Sequence, residues 1–500
     1  MDLIANLTLG LQTALTLENL IYAGVGCFLG TLIGVLPGLG PLTTISMLLP
    51  FTFGLSPIGA LIMLAGIYYG AAYGGSTTAI LVNLPGEASS VVTTIDGYQM
   101  ARQGRAGAAL AAAAIGSFVA GSLGVLVLAA FSGPIAQVAF SFGPAEYFAL
   151  MFLGLIGAVS LTSGPLLKSL CMVVLGLLIG LVGMDVNSGV VRFAFGSVAL
   201  WDGVDFIVIT IGIFAFAEIA TTLERQRSGE VQVAPIASIM PTREDIRRMT
   251  PAILRGSALG SFIGILPGAG VSLASFFAYS LEKKSSKYKH EFGQGAIEGV
   301  AGPESANNAA AQTSFIPTLT LGIPGSATMA LMLGAMVIHN IQPGPSVMTK
   351  NPELFWGLIV SMWIGNLFLV VLNLPLIGMW VRLLRIPYAM LFPAILMFCC
   401  IGVYASSYSL LDVYMVAGFG VAGYVLAKLD CEPAPLLLGF VLGPMVEEYF
   451  RRALVLSHGD FSVFVSRPIS ATLLAVAAAM LVFAALPKFR KTRQTAFAED

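Results

Sequence analysis

Charge is scarce in this chain of 500 residues: 25 Lys or Arg and 26 Asp or Glu make up 10% of it, against roughly 25% in a soluble protein. The shortage is uneven. No basic residue precedes Arg102, and none lies between Lys289 and Lys350. Met1-Asp2-Leu3-Ile4 therefore lacks the positive n-region of a secretory signal. The N-terminus is expected to be retained and, without Lys or Arg, to lie on the non-cytoplasmic side. No lysine follows a glycine, which excludes a phosphate-binding Walker loop. There is no HExxH, and His290, His339 and His458 are scattered. Cys27, Cys171, Cys399, Cys400 and Cys431 show no CxxC spacing, so neither zinc nor a disulfide framework is indicated. A net charge of -1 gives no basic face for nucleic acid. The longest polar stretches, 224–250 and 282–308, are too short to fold alone. Any uphill transport must draw on an ion gradient.

What is present is apolar: 57% hydrophobic residues and a mean hydropathy of +0.88. Such a chain cannot cover a soluble surface, so a polytopic membrane protein is expected. Glycine supplies 56 of the 500 residues, above a typical share of roughly 7%. Small residues let helix backbones approach closely in lipid.

The chain also repeats itself. Gly30–Gly40 reads GTLIGVLPGLG and Gly260–Gly270 reads GSFIGILPGAG, an offset of 230 between Pro37 and Pro267. A second Pro-Gly follows each, Pro85-Gly86 and Pro324-Gly325, at an offset of 239. The basic loops swap between the halves. In the first, Arg102 and Arg105 follow the second motif. In the second, Lys283, Lys284, Lys287 and Lys289 precede it. Because positive loops stay cytoplasmic, matching loops face opposite sides.

The expected fold is an all-α polytopic membrane protein of two inverted-topology repeats, with about 10–12 membrane segments. The first repeat covers 1–223 and a cytoplasmic linker 224–250. The second repeat covers 251–468, and 469–500 form an extra C-terminal helix with a basic tail held inside by Lys488, Arg490, Lys491 and Arg493. Residues 251–281 start and end in the cytoplasm, yet each crossing needs ~20 residues. They are read as a re-entrant helical hairpin, and by symmetry so are 20–51. The stretches 58–96 and 303–339 each make one net crossing, interrupted at Pro-Gly, either as a single broken helix or with an extra excursion. Ordinary spans are expected near 106–131, 145–160, 165–184, 205–223, 354–373, 388–404, 412–428, 434–450 and 469–487.

Each break offers a half-helix N-terminus to an anion and unpaired carbonyls to a cation. The candidate substrate-binding residues are Gly38, Gly40, Thr43, Pro85, Gly86, Ser89, Gly268, Gly270, Ser272, Pro324, Gly325 and Ser326. The candidate cation-binding or coupling residues are Ser76, Thr77, Asn83, Glu87, Glu304, Asn307, Asn308 and Thr313. Sodium takes neutral oxygens, which the hydroxyls and amides supply. A carboxylate at a helix centre costs ~2.5–3.5 kcal/mol on insertion scales, which makes Glu87 and Glu304 functional candidates. Asp185, Asp202, Asp205, Asp412 and Asp430, at segment ends, read as loop or capping residues. Tyr68, Tyr69 and Tyr73 read first as packing.

Three segments, GTLIGVLPGLGPLTTISMLLP, YYGAAYGGSTTAILVNLPGEASSVVTTIDGYQMARQGRAG and GPESANNAAAQTSFIPTLTLGIPGSATMALML, closely resemble the large membrane subunit of the tripartite tricarboxylate transporter family. NLPGE and ESANNA are the most specific parts. The resemblance implies a bacterial inner-membrane secondary transporter for carboxylates such as citrate, coupled to sodium or protons. It also implies a small four-helix membrane subunit and a periplasmic solute-binding protein as partners. The expected function is ion-coupled carboxylate uptake by alternating access, with sodium ranked ahead of protons and no cofactor beyond that ion. The alternatives are a passive channel or exporter and, more remotely, a membrane enzyme or assembly scaffold.

Overall fold

Prolines and capping residues set the helix limits. In the computed structural model, which describes residues 3–36, 38–161, 164–185, 188–225, 239–266, 270–384, 386 and 388–485, proline opens several helices where its missing N–H costs nothing: Pro41–Leu48, Pro57–Val82 and Pro352–Asn373. Ser56 caps the second of these by accepting from the Gly59 N–H. Thr242 and Asp245 form a reciprocal capping box at the start of Arg243–Ile265. Helices end as sharply. Asn83 (φ 57°) terminates Pro57–Val82 and Gly322 (φ 72°) terminates Phe315–Leu321, both left-handed. Pro37, Pro267, Gly268, linker residues 226–238 and the basic tail lie outside the described residues.

The described chain is helical apart from a two-residue ribbon, Gly183–Met184 paired antiparallel with Val191–Arg192. Eight of its helices are long and apolar enough to cross a membrane: Leu17–Gly34, Pro57–Val82, Val91–Ala139, Phe206–Glu224, Pro352–Asn373, Met390–Ser407, Leu410–Lys428 and Pro468–Ala485. Shorter apolar helices are Leu3–Ala14, Pro41–Thr52, Pro144–Ser160, Leu166–Gly180 and Ala327–Ile338. Helix Ala434–Leu456 covers another expected span but carries Glu447, Glu448, Arg451 and Arg452. The helix Leu3–Ala14, unanticipated from sequence, packs on Pro352–Asn373, where a Cβ on Gly10 would stand 2.5 Å from the Trp356 carbonyl.

Two close helix pairs organise the interior. Leu17–Gly34 lies along Pro57–Val82. Cβ atoms added at Gly26, Gly30 and Gly34 would meet the Cα atoms of Met63, Ile67 and Ala71 at 3.1, 2.7 and 2.5 Å. Arg243–Ile265 lies along Glu298–Thr313 in the same way, with Gly256 over Gly302, Gly260 over Ala306 (2.7 Å) and Gly264 over Ala310 (2.6 Å). Glycine at four-residue spacing is what permits backbones this close. Pro57–Val82 and Glu298–Thr313 are the buried centre of the molecule. Leu410–Lys428 and Pro468–Ala485 are largely exposed, as lipid-facing helices are.

Candidate functional site

Helix Glu298–Thr313 is buried along its whole length, yet reads EGVAGPESANNAAAQT. Polar groups so placed need internal partners. The Glu304 carboxylate, 1% exposed, accepts from the Ser76 hydroxyl at 2.7 Å and from the Thr93 hydroxyl. Both donors flank the break at 83–90 in the first half of the chain. Glu87, in that break, accepts from Ser89 at 2.5 Å and from the Asn307 amide of the second half at 3.3 Å. The Asn308 amide donates to Ser117 Oγ at 2.7 Å and to the Glu304 carbonyl at 3.0 Å. Thus each half supplies a carboxylate and the other half supplies hydroxyl or amide donors to it. No ion pair among the described residues includes either acid. Arg192, by contrast, is engaged with Glu447 at 2.8 Å and Asp185 at 3.9 Å.

Gly40, between helices Leu17–Gly34 and Pro41–Leu48, joins this cluster. A Cβ on Gly40 would sit 2.7 Å from the Gly86 carbonyl and 3.3 Å from Glu87 Cβ, while Gly86 packs on Gly75. Pro85 is half-buried beside Gly86, Thr43 is buried on the following helix, and Thr77 donates to the Tyr73 carbonyl. Gly38 (φ 85°) instead packs against Thr222 and Glu218. Asn83 is exposed at its helix cap. The second-half candidates gather around their own break: Pro324 is buried, Gly325 lies over Gly264 and Leu266, and Ser326 caps Ala327–Ile338. Thr313 donates to the Ala309 carbonyl, Gly270 has φ 63° and open space around it, and Ser272 is half-buried. No hydrogen bond among the described residues links this second group to the two carboxylates. Tyr68 and Tyr69 pack with Phe315 at ring separations of 6.5 and 6.3 Å.

Sequence reasoning missed Thr93, Ser117 and above all Asp96. The fully buried Asp96 carboxylate accepts the N–H groups of Gly293 and Gly295 at 2.8 Å and of Ala296 at 2.9 Å, and the Tyr279 hydroxyl at 2.9 Å. It clamps helix Val91–Met100 to the loop at 293–296 and to Tyr279 of helix Gly270–Ser285. Nearby, Gln103 donates to the Gln294 carbonyl at 2.7 Å and Arg105 pairs with Asp245 at 2.5 Å. Burial opposes charge on Asp245, but the Thr242 donors and the Arg105 guanidinium outweigh it and hold the carboxyl below its ordinary range. An acid in an otherwise uncharged helix was the one available signal for Asp96; its partners lie about 200 positions away. Asp96→Ala would leave three N–H groups unpaired, at about 1–3 kcal/mol each if they stay dry. It is expected to speed tryptic cleavage at Lys283–Lys289 markedly in the detergent-solubilised protein. Cleavage at the wild-type rate would show that the clamp does not hold this loop.

Two carboxylates, each met by hydroxyl or amide donors from the other half of the chain, lie inside a bundle with eight helices long and apolar enough to cross a membrane, the arrangement of a membrane transport component. The chain belongs to the tripartite tricarboxylate transporter TctA family, whose model matches residues 20–438. A 52.8 kDa protein of Agrobacterium vitis, described as uncharacterized and located in the TAR-I ttuC' 3' region, is 58% identical over 500 residues, the whole of both chains. A second Agrobacterium vitis protein, from the TAR-II ttuC' 3' region, is 60% identical over 241 residues, 48% of this chain and all of that one. No solved structure matches. The protein is thus a multi-pass membrane component of a bacterial tricarboxylate transport system.

Proposed function

We propose that the chain carries out sodium-coupled uptake of di- and tricarboxylates by alternating access. It works in the bacterial inner membrane with a small four-helix membrane subunit and a periplasmic solute-binding protein that delivers the substrate. The observation that carries this reading is the pair Glu87 and Glu304, each met by neutral donors of the opposite half and, among the described residues, by no basic side chain. Two carboxylates in a low-dielectric interior call for a cation. A substrate with several negative charges calls for one too. The half-helix N-termini after residues 85 and 324 add positive ends without side-chain charge.

The proposed architecture is two inverted repeats, 1–223 and 251–468, joined by a cytoplasmic linker at 224–250, with re-entrant tips and an extra helix and basic tail at 469–500. The N-terminus is periplasmic and the C-terminus cytoplasmic. The two glycine ladders support it. Gly26 over Met63 and Gly256 over Gly302 stand 230 and 239 apart in their two strings, and the next rungs keep those offsets. The left-handed caps Asn83 and Gly322 are also 239 apart.

Two measurements test this. Cysteines at the exposed positions Ser56 and Ser285 are expected to react with an impermeant thiol reagent from opposite faces of the membrane; labelling from the same face removes the inversion. Carboxylate affinity is expected to rise steeply with sodium at fixed pH. An affinity that follows pH at fixed sodium instead assigns the coupling to protons, and an affinity indifferent to both defeats the cation-compensated site.

A further inference from the structure

Beside Glu304 lies a cavity of about 10 Å³, close to the volume that holds one water-sized occupant. It is lined by side chains of three helices: Tyr73, Ser76 and Thr77 of Pro57–Val82; Leu110, Ala113, Ala114 and Ser117 of Ala106–Ala139; and Asn373 at the end of Pro352–Asn373. Two buried oxygens on its wall lack a full set of partners: Asn373 Oδ1 has none among the described residues, and Tyr73 Oη has only the neighbouring Ser117 hydroxyl within reach. Each such group costs about 1–3 kcal/mol if nothing answers it.

We propose that this cavity is a sodium site, with Tyr73, Ser117 and Asn373 as ligands alongside Ser76 and Thr77. The inference rests on the sodium-coupled reading above and gives it an address. The directions of several wall groups leave acceptor oxygens at the cavity. The Asn373 amide nitrogen donates to the Leu369 carbonyl, so its oxygen is the free end. The Thr77 hydroxyl proton goes to the Tyr73 carbonyl and the Ser76 proton to Glu304. Ser117 Oγ accepts from the Asn308 amide. The Asn373, Thr77 and Ser76 oxygens are thus left as acceptors, and the Tyr73 and Ser117 hydroxyls, each with one proton and two lone pairs, can serve a cation as ligands or a water as donors.

Charge favours the cation. Glu304 is one hydroxyl away, through Ser76 at 2.7 Å, and no basic side chain among the described residues pairs with it. A bare sodium ion is smaller than a water molecule and fits only after shedding its hydration shell. The ring of neutral oxygens replaces that shell, and the Glu304 carboxylate balances the charge. Because Ser76 and Thr77 precede the first break while Asn308 and Glu304 lie on the opposite half, an ion here would hold the two halves together. That makes the site sensitive to their relative position.

The test is sodium-dependent thermal stabilisation of the full chain in detergent at constant ionic strength, with potassium replacing sodium, beside sodium-dependent carboxylate uptake. Tyr73→Phe keeps the ring and removes one oxygen. Asn373→Leu keeps the shape and removes the amide oxygen. Each is expected to raise the sodium concentration for half-maximal stabilisation at least tenfold, with the midpoint in potassium close to wild type. Wild-type uptake that depends on sodium, together with variants that keep the wild-type sodium midpoint, would make the cavity a water site and move the ion elsewhere. Equal stabilisation by potassium would likewise overturn it. A wild-type protein indifferent to sodium in both assays would defeat the coupling reading itself. Should Asn373→Leu fail to accumulate, Tyr73→Phe decides the question alone.

Discussion

Glu304→Gln is expected to lower sodium-driven carboxylate uptake at least 100-fold while the protein accumulates in the membrane at the wild-type level. The substitution keeps the side-chain length. Ser76, at 2.7 Å, and Thr93 reach different oxygens of Glu304; the amide oxygen can accept from one of them and the other hydroxyl can turn to accept from the amide N–H, so the helix contacts survive. What it removes is the negative charge. With that charge gone, a cation in the bundle has no counter-charge among the described side chains within one hydroxyl of it. A factor of 100 corresponds to about 2.7 kcal/mol, modest beside the several kcal/mol of desolvating an uncompensated ion. Glu87→Gln is expected to cost less, because Glu87 is only half-buried and closes a shorter set of contacts. Uptake is to be measured at saturating sodium and normalised to protein in the membrane. Wild-type uptake by Glu304→Gln would reduce the carboxylate to a hydrogen-bond acceptor between helices.

Most of the architecture around Glu304 can be read from the chain because membrane helices announce themselves locally. Proline and glycine mark Pro57–Val82, its left-handed end at Asn83 and the corresponding end at Gly322. Apolar runs mark the outer spans. The acids stand out by their scarcity. The pairings do not, because they join distant positions through space. Thr93 and Glu304 are separated by 211 residues, and Asp96 and Ala296 by 200. Nothing local distinguishes Thr93 from Thr94, whose hydroxyl turns back onto the Val91 carbonyl instead. Tyr73 is a similar case. A tyrosine in YYGAAYGG reads as packing; the hydroxyls of all three are buried, and only the neighbouring helices place that of Tyr73, and not those of Tyr68 and Tyr69, on this cavity wall. Asn373, at the far end of a different span, carries no signal at all of meeting it.

The tolerance of the two glycine ladders is the sharper structural test, and it treats both halves alike. Gly30→Val and Gly260→Val are each expected to leave less than about a tenth of the wild-type amount of folded protein in the membrane. At either position the new Cβ alone would lie 2.7 Å from a Cα of the facing helix, Ile67 in one pair and Ala306 in the other. Backbone cannot yield as a flexible side chain can, so the helices must separate along their length. Dispersion contacts fall off within an ångström of gap, and lipid supplies no hydrophobic force to restore them. Separation would also displace Ser76 from Glu304, since those residues lie on the central helices that the ladders hold. Gly418→Val is the control. Gly418 is exposed on Leu410–Lys428 with nothing within 4 Å of its Cβ position, and valine is a better helix former than glycine. It is expected to accumulate and transport as wild type does. Accumulation is read by fluorescence-detection size exclusion and function by uptake. Normal accumulation of Gly30→Val or Gly260→Val would mean that the paired helices are not in backbone contact. A loss confined to one of the two would mean that the halves are not built on the same packing, and the proposed duplication would lose its structural support.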